Sequence, residues 1–460
     1  MKDKKSKKTR RPSLIERVNR DAAGIDCGAS MHYVAVPRDR DPEPVRFFKT
    51  FTDDLERLAD WLVQCGIKTV AMEATGVYWI PVFEIIESRG IEVVLVNAQH
   101  VKNVSGRKSD VSDCEWIQEL HSVGLLRGSF RPKAEIVTMR SYLRHREILV
   151  QTAATCMNRV EKAMLQMNLQ LHLVVSDLSG VTGLRILRDI VSGERDPHKL
   201  SRHRDARCKA SEDDIAGALT GHYRPEHLFA LKQNLGLFDV IQQQIADCDK
   251  EVEQHLAALA RPLSPPTPLP EARSRRKPRD NEPRFEIRQP LHALSGGIDL
   301  SLVDGIGPYT ALRLISEIGT DMSRWKTGSH FVSWLTLAPR NRISGGKLLG
   351  SSTQTSANRA AAMIRMSVLA LGRTQTAIGA FYRRLAFRIG KAKALIAAAR
   401  KLGLLIYRCL KGEIVYKDPG AEAYDRKNKE SVLRRLSQRA QNLGFSLVSN
   451  ETGQILEGVS

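Results

Sequence analysis

The order of apolar segments between Ala22 and Val123 constrains this chain more than any other feature. Ala22–Asp26 is a short apolar run. Met31–Val36 follows after a glycine-containing turn, and Arg46–Phe51 reads as a third strand. Asp53 stands where a residue would cap a helix reaching about Cys65. Thr69–Glu73 reads as a buried strand, Val77–Ser88 as a helix stopped by Gly90, and Glu92–Val96 as another strand. A loop of Gly, Ser, Lys and Arg runs from Asn97 to Ser109, and a helix extends from Asp110 to about Val123. Three strands followed by alternating helices and strands predict an α/β unit, a mixed sheet with helices on its faces.

The rest of the chain is patterned differently. In residues 135–261, Val150, Ala153, Met157, Val160, Met164, Met167 and Leu171 recur at alternating spacings of 3 and 4. Leu231, Leu235, Phe238, Ile241, Ile245, Cys248 and Val252 nearly repeat the pattern. Two such helices form an antiparallel coiled coil, a dimer seam, or a pair packed within one subunit. Residues 262–290 are rich in Pro and Arg, the composition of a flexible linker. Residues 291–416 read as a second, mainly helical unit, and 417–460 as a basic tail with a helical stretch at Ser431–Asn442. Residues 1–20 read as a basic disordered arm. Residues 21–134 are left as the α/β unit.

Charge narrows the function. Lys and Arg number 71 against 51 Asp and Glu, a formal net charge of +20. Such a surplus points to a polyanion, nucleic acid before an anionic membrane. No uncharged apolar stretch reaches the roughly 18 residues of a membrane span, and no apolar segment follows the basic N-terminus as in a secretory signal. The seven cysteines stand singly, which argues against a disulfide scaffold or structural zinc and for a reducing cytoplasm.

The acids of the α/β unit fall at informative places. Asp26 ends the first strand in Gly24-Ile25-Asp26, and Glu73 ends a later one in Ala71-Met72-Glu73-Ala74-Thr75-Gly76. Asp110 and Asp113 open a helix in Arg107-Lys108-Ser109-Asp110-Val111-Ser112-Asp113. Strand-end carboxylates sit at a sheet rim, and residues at i and i+3 share a helix face. Four converging carboxylates repel one another unless cations neutralise them, and Mg²⁺ takes such oxygen ligands. Two ions about 3.5–4 Å apart can align and polarise a phosphodiester. Taken singly, Asp110 and Asp113 also suit a helix cap and first turn.

This order of strands and acids resembles the ribonuclease-H-like nucleases, the RuvC Holliday-junction resolvases in particular. The wording is closer to the DEDD insertion-sequence transposases of the Piv/MooV group, described as bridge-RNA-guided recombinases. Gly24-Ile25-Asp26, Met72-Glu73-Ala74-Thr75-Gly76-Val77-Tyr78-Trp79 and Gly106-Arg107-Lys108-Ser109-Asp110-Val111-Ser112-Asp113 carry the likeness, with Leu125-Leu126-Arg127-Gly128-Ser129-Phe130 beside them. The resemblance implies that Asp26, Glu73, Asp110 and Asp113 bind Mg²⁺, with Arg107 and Lys108 contacting nucleic acid.

The second unit carries two further motifs. Val303-Asp304-Gly305-Ile306-Gly307-Pro308 precedes a helix-like run, and Gly305 and Gly307 leave backbone N–H groups free to meet a phosphate, as in a helix-hairpin-helix contact. Arg340-Asn341-Arg342-Ile343-Ser344-Gly345-Gly346-Lys347 sets a serine among bases, where Arg342 and Lys347 suit a phosphate. Read alone, that stretch is a polar loop, and nothing selects Ser344 over Ser351, Ser352 or Thr353. The likeness to the same transposases extends here, from Gly305 through Ser344-Gly345-Gly346-Lys347 to Asn358-Arg359-Ala360. It implies that Ser344 attacks DNA and becomes linked to a phosphate, and that Asn358 and Arg359 lie on the nucleic-acid side. It further implies double-stranded DNA at the element's ends and target, a guide RNA, and a homodimer or homotetramer. A junction-resolving nuclease would use the same acids with water as nucleophile. A sugar kinase shares the sheet and a loop like Gly24-Ile25-Asp26-Cys27-Gly28-Ala29-Ser30 but needs a second phosphate loop, which is absent from the sequence. A catalytically dead DNA-binding protein is the fourth reading.

Overall fold

The computed structural model describes residues 17–97, 110–260, 267–272, 279, 281–353, 357–448 and 450, with only the backbone of 110–112. The chain divides after Arg131 into two compact units.

The first unit is built on a five-stranded sheet of order β3-β2-β1-β4-β5. Its strands are β1 (Ala22–Cys27), β2 (Met31–Ala35), β3 (Val45–Lys49), β4 (Thr69–Glu73) and β5 (Glu92–Val96). The first three form antiparallel pairs, whereas β1–β4 and β4–β5 are parallel. This is the mixed sheet that the segment order predicts. Helices α1 (Thr52–Gln64), α2 (Trp79–Ser88) and α3 (Asp110–Ser122) complete the unit. One sheet face, with Ala23, Ile25, Cys27, Val70 and Met72, packs on Leu55, Leu58 and Leu62 of α1 and Val82 and Ile86 of α2. On the other face Ala71 and Val96 pack on Ile117 of α3. Two details differ from expectation. Asp53 is not the cap of α1 but lies in its first turn, where a carboxylate favours the helix dipole, and Phe51 holds the cap position. The second helix starts at Trp79, not Val77.

In the second unit the two heptad-patterned stretches are long helices, α4 (Ala134–Gln166) and, after α5 (Leu171–Val174), α6 (Val181–Ser192), α7 (Pro197–Ser201) and α8 (Glu212–Ala218), α9 (Pro225–Leu259). Their stripes meet each other within the chain: Leu149, Ala153 and Cys156 of α4 pack on Phe238, Ile241, Ile245 and Cys248 of α9. A C-terminal layer follows: α10 (Arg288–Leu294), a 3-10 turn (Leu300–Leu302), α11 (Pro308–Ile318), α12 (Gly328–Trp334), α13 (Arg359–Leu371), α14 (Ala377–Ile389), α15 (Lys391–Leu410) and α16 (Gly420–Asn442). Arg146 joins this layer to the helix pair. It is 2% exposed. Its guanidinium donates to Asp249 Oδ1 at 2.5 Å, Asn281 O at 2.9 Å and the Tyr309 hydroxyl at 3.1 Å. From Asn281 the Pro/Arg-rich stretch is therefore packed rather than a free linker. Ile287 and Leu291 are buried, and Arg288 pairs with Asp299.

The segment around Ser344 departs most from its reading as a polar loop. It is an antiparallel hairpin, β6 (Arg340–Ser344) and β7 (Lys347–Ser352). Gly345 and Gly346, at φ 54° and 76°, supply the two left-handed residues of a two-residue hairpin turn. Gly-Gly is a hairpin-turn signal, but of the flanking residues only Ile343 is β-branched and none is aromatic, so the strands leave little trace in the sequence.

Candidate active site

In the first unit strand register sets Asp26 beside Glu73, and helix packing directs the start of α3 toward them. Ile25 pairs with Met72 in the parallel β1–β4 ladder, so Asp26 and Glu73 are the next residues on neighbouring strands. Alternation puts Asp26 on the face of Gly24 and Glu73 on that of Ala71, the side covered by α3. Gly24 permits this cover. A Cβ there would stand 2.5 Å from Cys114 O and collide with the Gln118 backbone. Gln118 Nε2 donates to Ala22 O at 3.1 Å. Helix α3 therefore runs antiparallel to β1, with its N-terminus, carrying Asp110 and Asp113, toward the strand end that holds Asp26.

Electrostatics agree. Burial, then the charges of Asp26 and Glu73, push the Cys27 thiol well above its usual range, so both carboxylates lie near one sulfur on the opposite face. Burial pushes the Cys114 thiol up to about 12, with Asp26 among the contributing charges. Glu73 is 9% exposed, and the Thr75 hydroxyl donates to its Oε1 at 2.8 Å. That contact orients the carboxylate, a role the sequence signalled only as Glu-x-Thr. Asp26 and Asp113 are half-buried. The Asp110 side chain, and Arg107 and Lys108 entirely, lie outside the described residues. Among the described residues no three His, Cys, Asp or Glu side chains gather as a metal-ligand group. The donor chemistry of Asp26 and Glu73, two carboxylates side by side at strand ends, suits a hard divalent cation.

In the second unit the hairpin register opposes Ser344 to Lys347 and Arg342 to Gly350. Residues two apart share a face, so Arg340, Arg342, Ser344 and Lys347 lie on one side of the ribbon. All four are exposed. A serine hydroxyl among three cations offers an oxygen nucleophile where a phosphate is held. Ser351 pairs with Asn341, which puts it on the opposite side.

The other expected contacts have structural partners. Asn358 caps α13, its side chain accepting from Ala361 N at 3.0 Å. Arg359 Nη1 donates to Glu147 Oε2 at 2.7 Å, and Arg313 donates to the same carboxylate at 2.6 Å. Gly307 is the N-cap of α11, with Pro308 in the first turn. Gly305 lies in the preceding turn, against Leu371 of α13. These bonds and caps give the residues packing roles within the second unit.

Residues 23–169 match a family model described as a transposase, of the DEDD IS110 group, and residues 299–383 match one described as transposase IS116/IS110/IS902 family. The chain belongs to this family of DEDD insertion-sequence transposases. It is therefore an enzyme that cleaves and rejoins DNA. No curated protein matches the chain. The match over residues 23–169 contains Asp26, Glu73, Asp110 and Asp113 and runs into α4 of the transposase, and the match over 299–383 contains the hairpin. The mixed sheet with flanking helices is consistent with a ribonuclease-H-like DEDD domain. Among the described residues, no helix is long and apolar enough to cross a membrane.

Proposed function

We propose that this transposase moves its element by serine recombination, with Asp26, Glu73, Asp110 and Asp113 as the acidic set and Ser344 as nucleophile. The observation that carries the reading is the hairpin itself, which sets Ser344 exposed on one ribbon face with Arg340, Arg342 and Lys347. Guanidinium and ammonium groups hold the phosphate and stabilise the charge that develops on it. Ser344 Oγ attacks phosphorus. The Oγ–P bond forms, the bond from phosphorus to the leaving sugar oxygen breaks, the serine proton is released, and the leaving oxygen takes a proton. The reverse attack by a sugar hydroxyl on another strand restores a phosphodiester and frees Ser344. Each exchange conserves the number of phosphoester bonds, so joining needs no nucleotide cofactor. A divalent ion, Mg²⁺ in this reading, would supply charge neutralisation and polarise the phosphate when held by the acids.

Double-stranded DNA at the element's ends and target is the substrate, a guide RNA pairs with it, and a homodimer or homotetramer supplies enough active sites for strand exchange. The functional divisions proposed are a catalytic domain over residues 21–134, a helical region over 135–261, and a nucleophile-bearing domain over 291–416. The test is mass spectrometry of a reaction with element-end DNA, flanking RNA and Mg²⁺, quenched and digested with nuclease and protease. A nucleotide adduct on the peptide containing Ser344 is expected. An adduct confined to Ser351 or Ser352, or cleavage with no adduct, overturns it.

A further inference from the structure

The sheet face that carries the acids does not end at them. Asp26 pairs with Tyr33 across β1–β2, and Tyr33 pairs with Phe47 across β2–β3. Directly paired residues point to the same face, so Phe47, Tyr33, Asp26 and Glu73 form one row across four strands. The Tyr33 and Phe47 rings touch, with centroids 6.2 Å apart and planes inclined by 43°. Tyr33 is half-buried, whereas Phe47 is 64% exposed on the edge strand. Two residues along β3 on the same face, Lys49 is exposed as well. A cross-strand aromatic pair stabilises a sheet when it is covered. This one leaves most of its outer ring in water on an edge, where an apolar surface is a liability.

We infer that Tyr33 and Phe47 form a base-stacking shelf for the single DNA strand that enters the acidic site, with Lys49 meeting its backbone. This rests on the acidic set being the cleavage site. The occupant follows from charge and shape. Strand spacing puts Phe47 two strands, roughly 10 Å, from Asp26. A strand with a phosphate at the acids then has a neighbouring base within reach of the shelf. Aromatic rings accept any base face, and stacking needs an unpaired base, so the shelf takes a strand opened from its duplex. A flat exposed aromatic beside a lysine is a footing for nucleic acid in a chain of net charge +20.

The test uses the full chain in EDTA, where nothing is cleaved, and a 12-nucleotide single-stranded DNA carrying one 2-aminopurine. Binding is expected to quench the probe. Phe47→Ala should weaken binding about tenfold and abolish the quench, and Phe47→Trp should restore both. Ultraviolet crosslinking of wild-type protein to the same strand carrying 5-iododeoxyuridine should mark the peptide with Phe47, which needs no variant to fold. Unchanged affinity and quench in Phe47→Ala, or crosslinks only elsewhere, overturns the shelf. Preferential crosslinking of Phe47 to an RNA of the same sequence, offered with the DNA, overturns the assignment to a DNA strand. Cleavage that survives Asp26→Asn in Mg²⁺ would instead count against the acidic site, and the binding results in EDTA would stand apart from it.

Discussion

At the scale of single residues, Gly24 matters as much as the acids. It lets α3 lie on β1 and so brings the helix start to the strand end. Gly24→Ala should push α3 off the sheet, destabilise the protein by about 1–3 kcal/mol, and reduce strand cleavage more than that loss explains. Urea midpoints set beside cleavage rates check this, and an unshifted midpoint would contradict the packing. Two of the buried thiols make a second prediction. Cys27 and Cys114 have raised pKa values when folded, against about 8.5 in an unfolded chain. Above that pH the unfolded chain loses protons that the folded one keeps. Stability is then fully present below about pH 8.5 and falls as pH rises toward 12, by up to roughly 1.4 kcal/mol per pH unit for each thiol. Urea titrations at pH 8 and 10 should show the fall, and Cys114→Ala should lessen it. The Asp26 and Glu73 positions were legible because a single acid after an apolar strand is a local pattern. Thr75, Tyr33 and Phe47 were not, since their meaning depends on which residues pairing sets beside them.

At the scale of elements, the hairpin is the part on which the proposed nucleophile depends. Its left-handed glycines set the register that opposes Ser344 to Lys347. Gly346→Val puts a β-branched residue at φ 76°, a conformation it resists. Covalent linkage should fall at least tenfold with no loss of global stability, because the ribbon is exposed on both strands. A variant with full linkage would show that the turn is not needed. The sheet was readable from its strand order, since burial on alternate faces leaves a periodic trace. The ribbon was not, because it has no buried face and its apolar Ile343, Leu348 and Leu349 are 60–70% exposed. The helix pair was half legible. The heptads foretold two helices, but only three-dimensional packing shows that the stripes meet within one chain.

At the scale of the whole molecule, one unit carries the acids and the other carries Ser344, in a chain of net charge +20. The charge makes DNA binding steeply salt-dependent, so affinity for element-end DNA should fall at least tenfold between 50 and 200 mM salt. A flat salt response in a filter-binding titration would contradict a phosphate-led interface. The division into an α/β unit and a helical unit was visible in the sequence because their periodicities differ. The proposed cooperation of the two motifs rests on likeness to a family, since no spacing rule links residues so far apart in the chain. The most direct measurement is covalent trapping. Wild type, Ser344→Ala and Asp26→Ala are incubated with Mg²⁺, labelled element-end DNA and flanking RNA, then run on a denaturing gel. Wild type should give a labelled protein band that both variants lose. Cleaved DNA without any protein band, unchanged in Ser344→Ala, would contradict serine recombination.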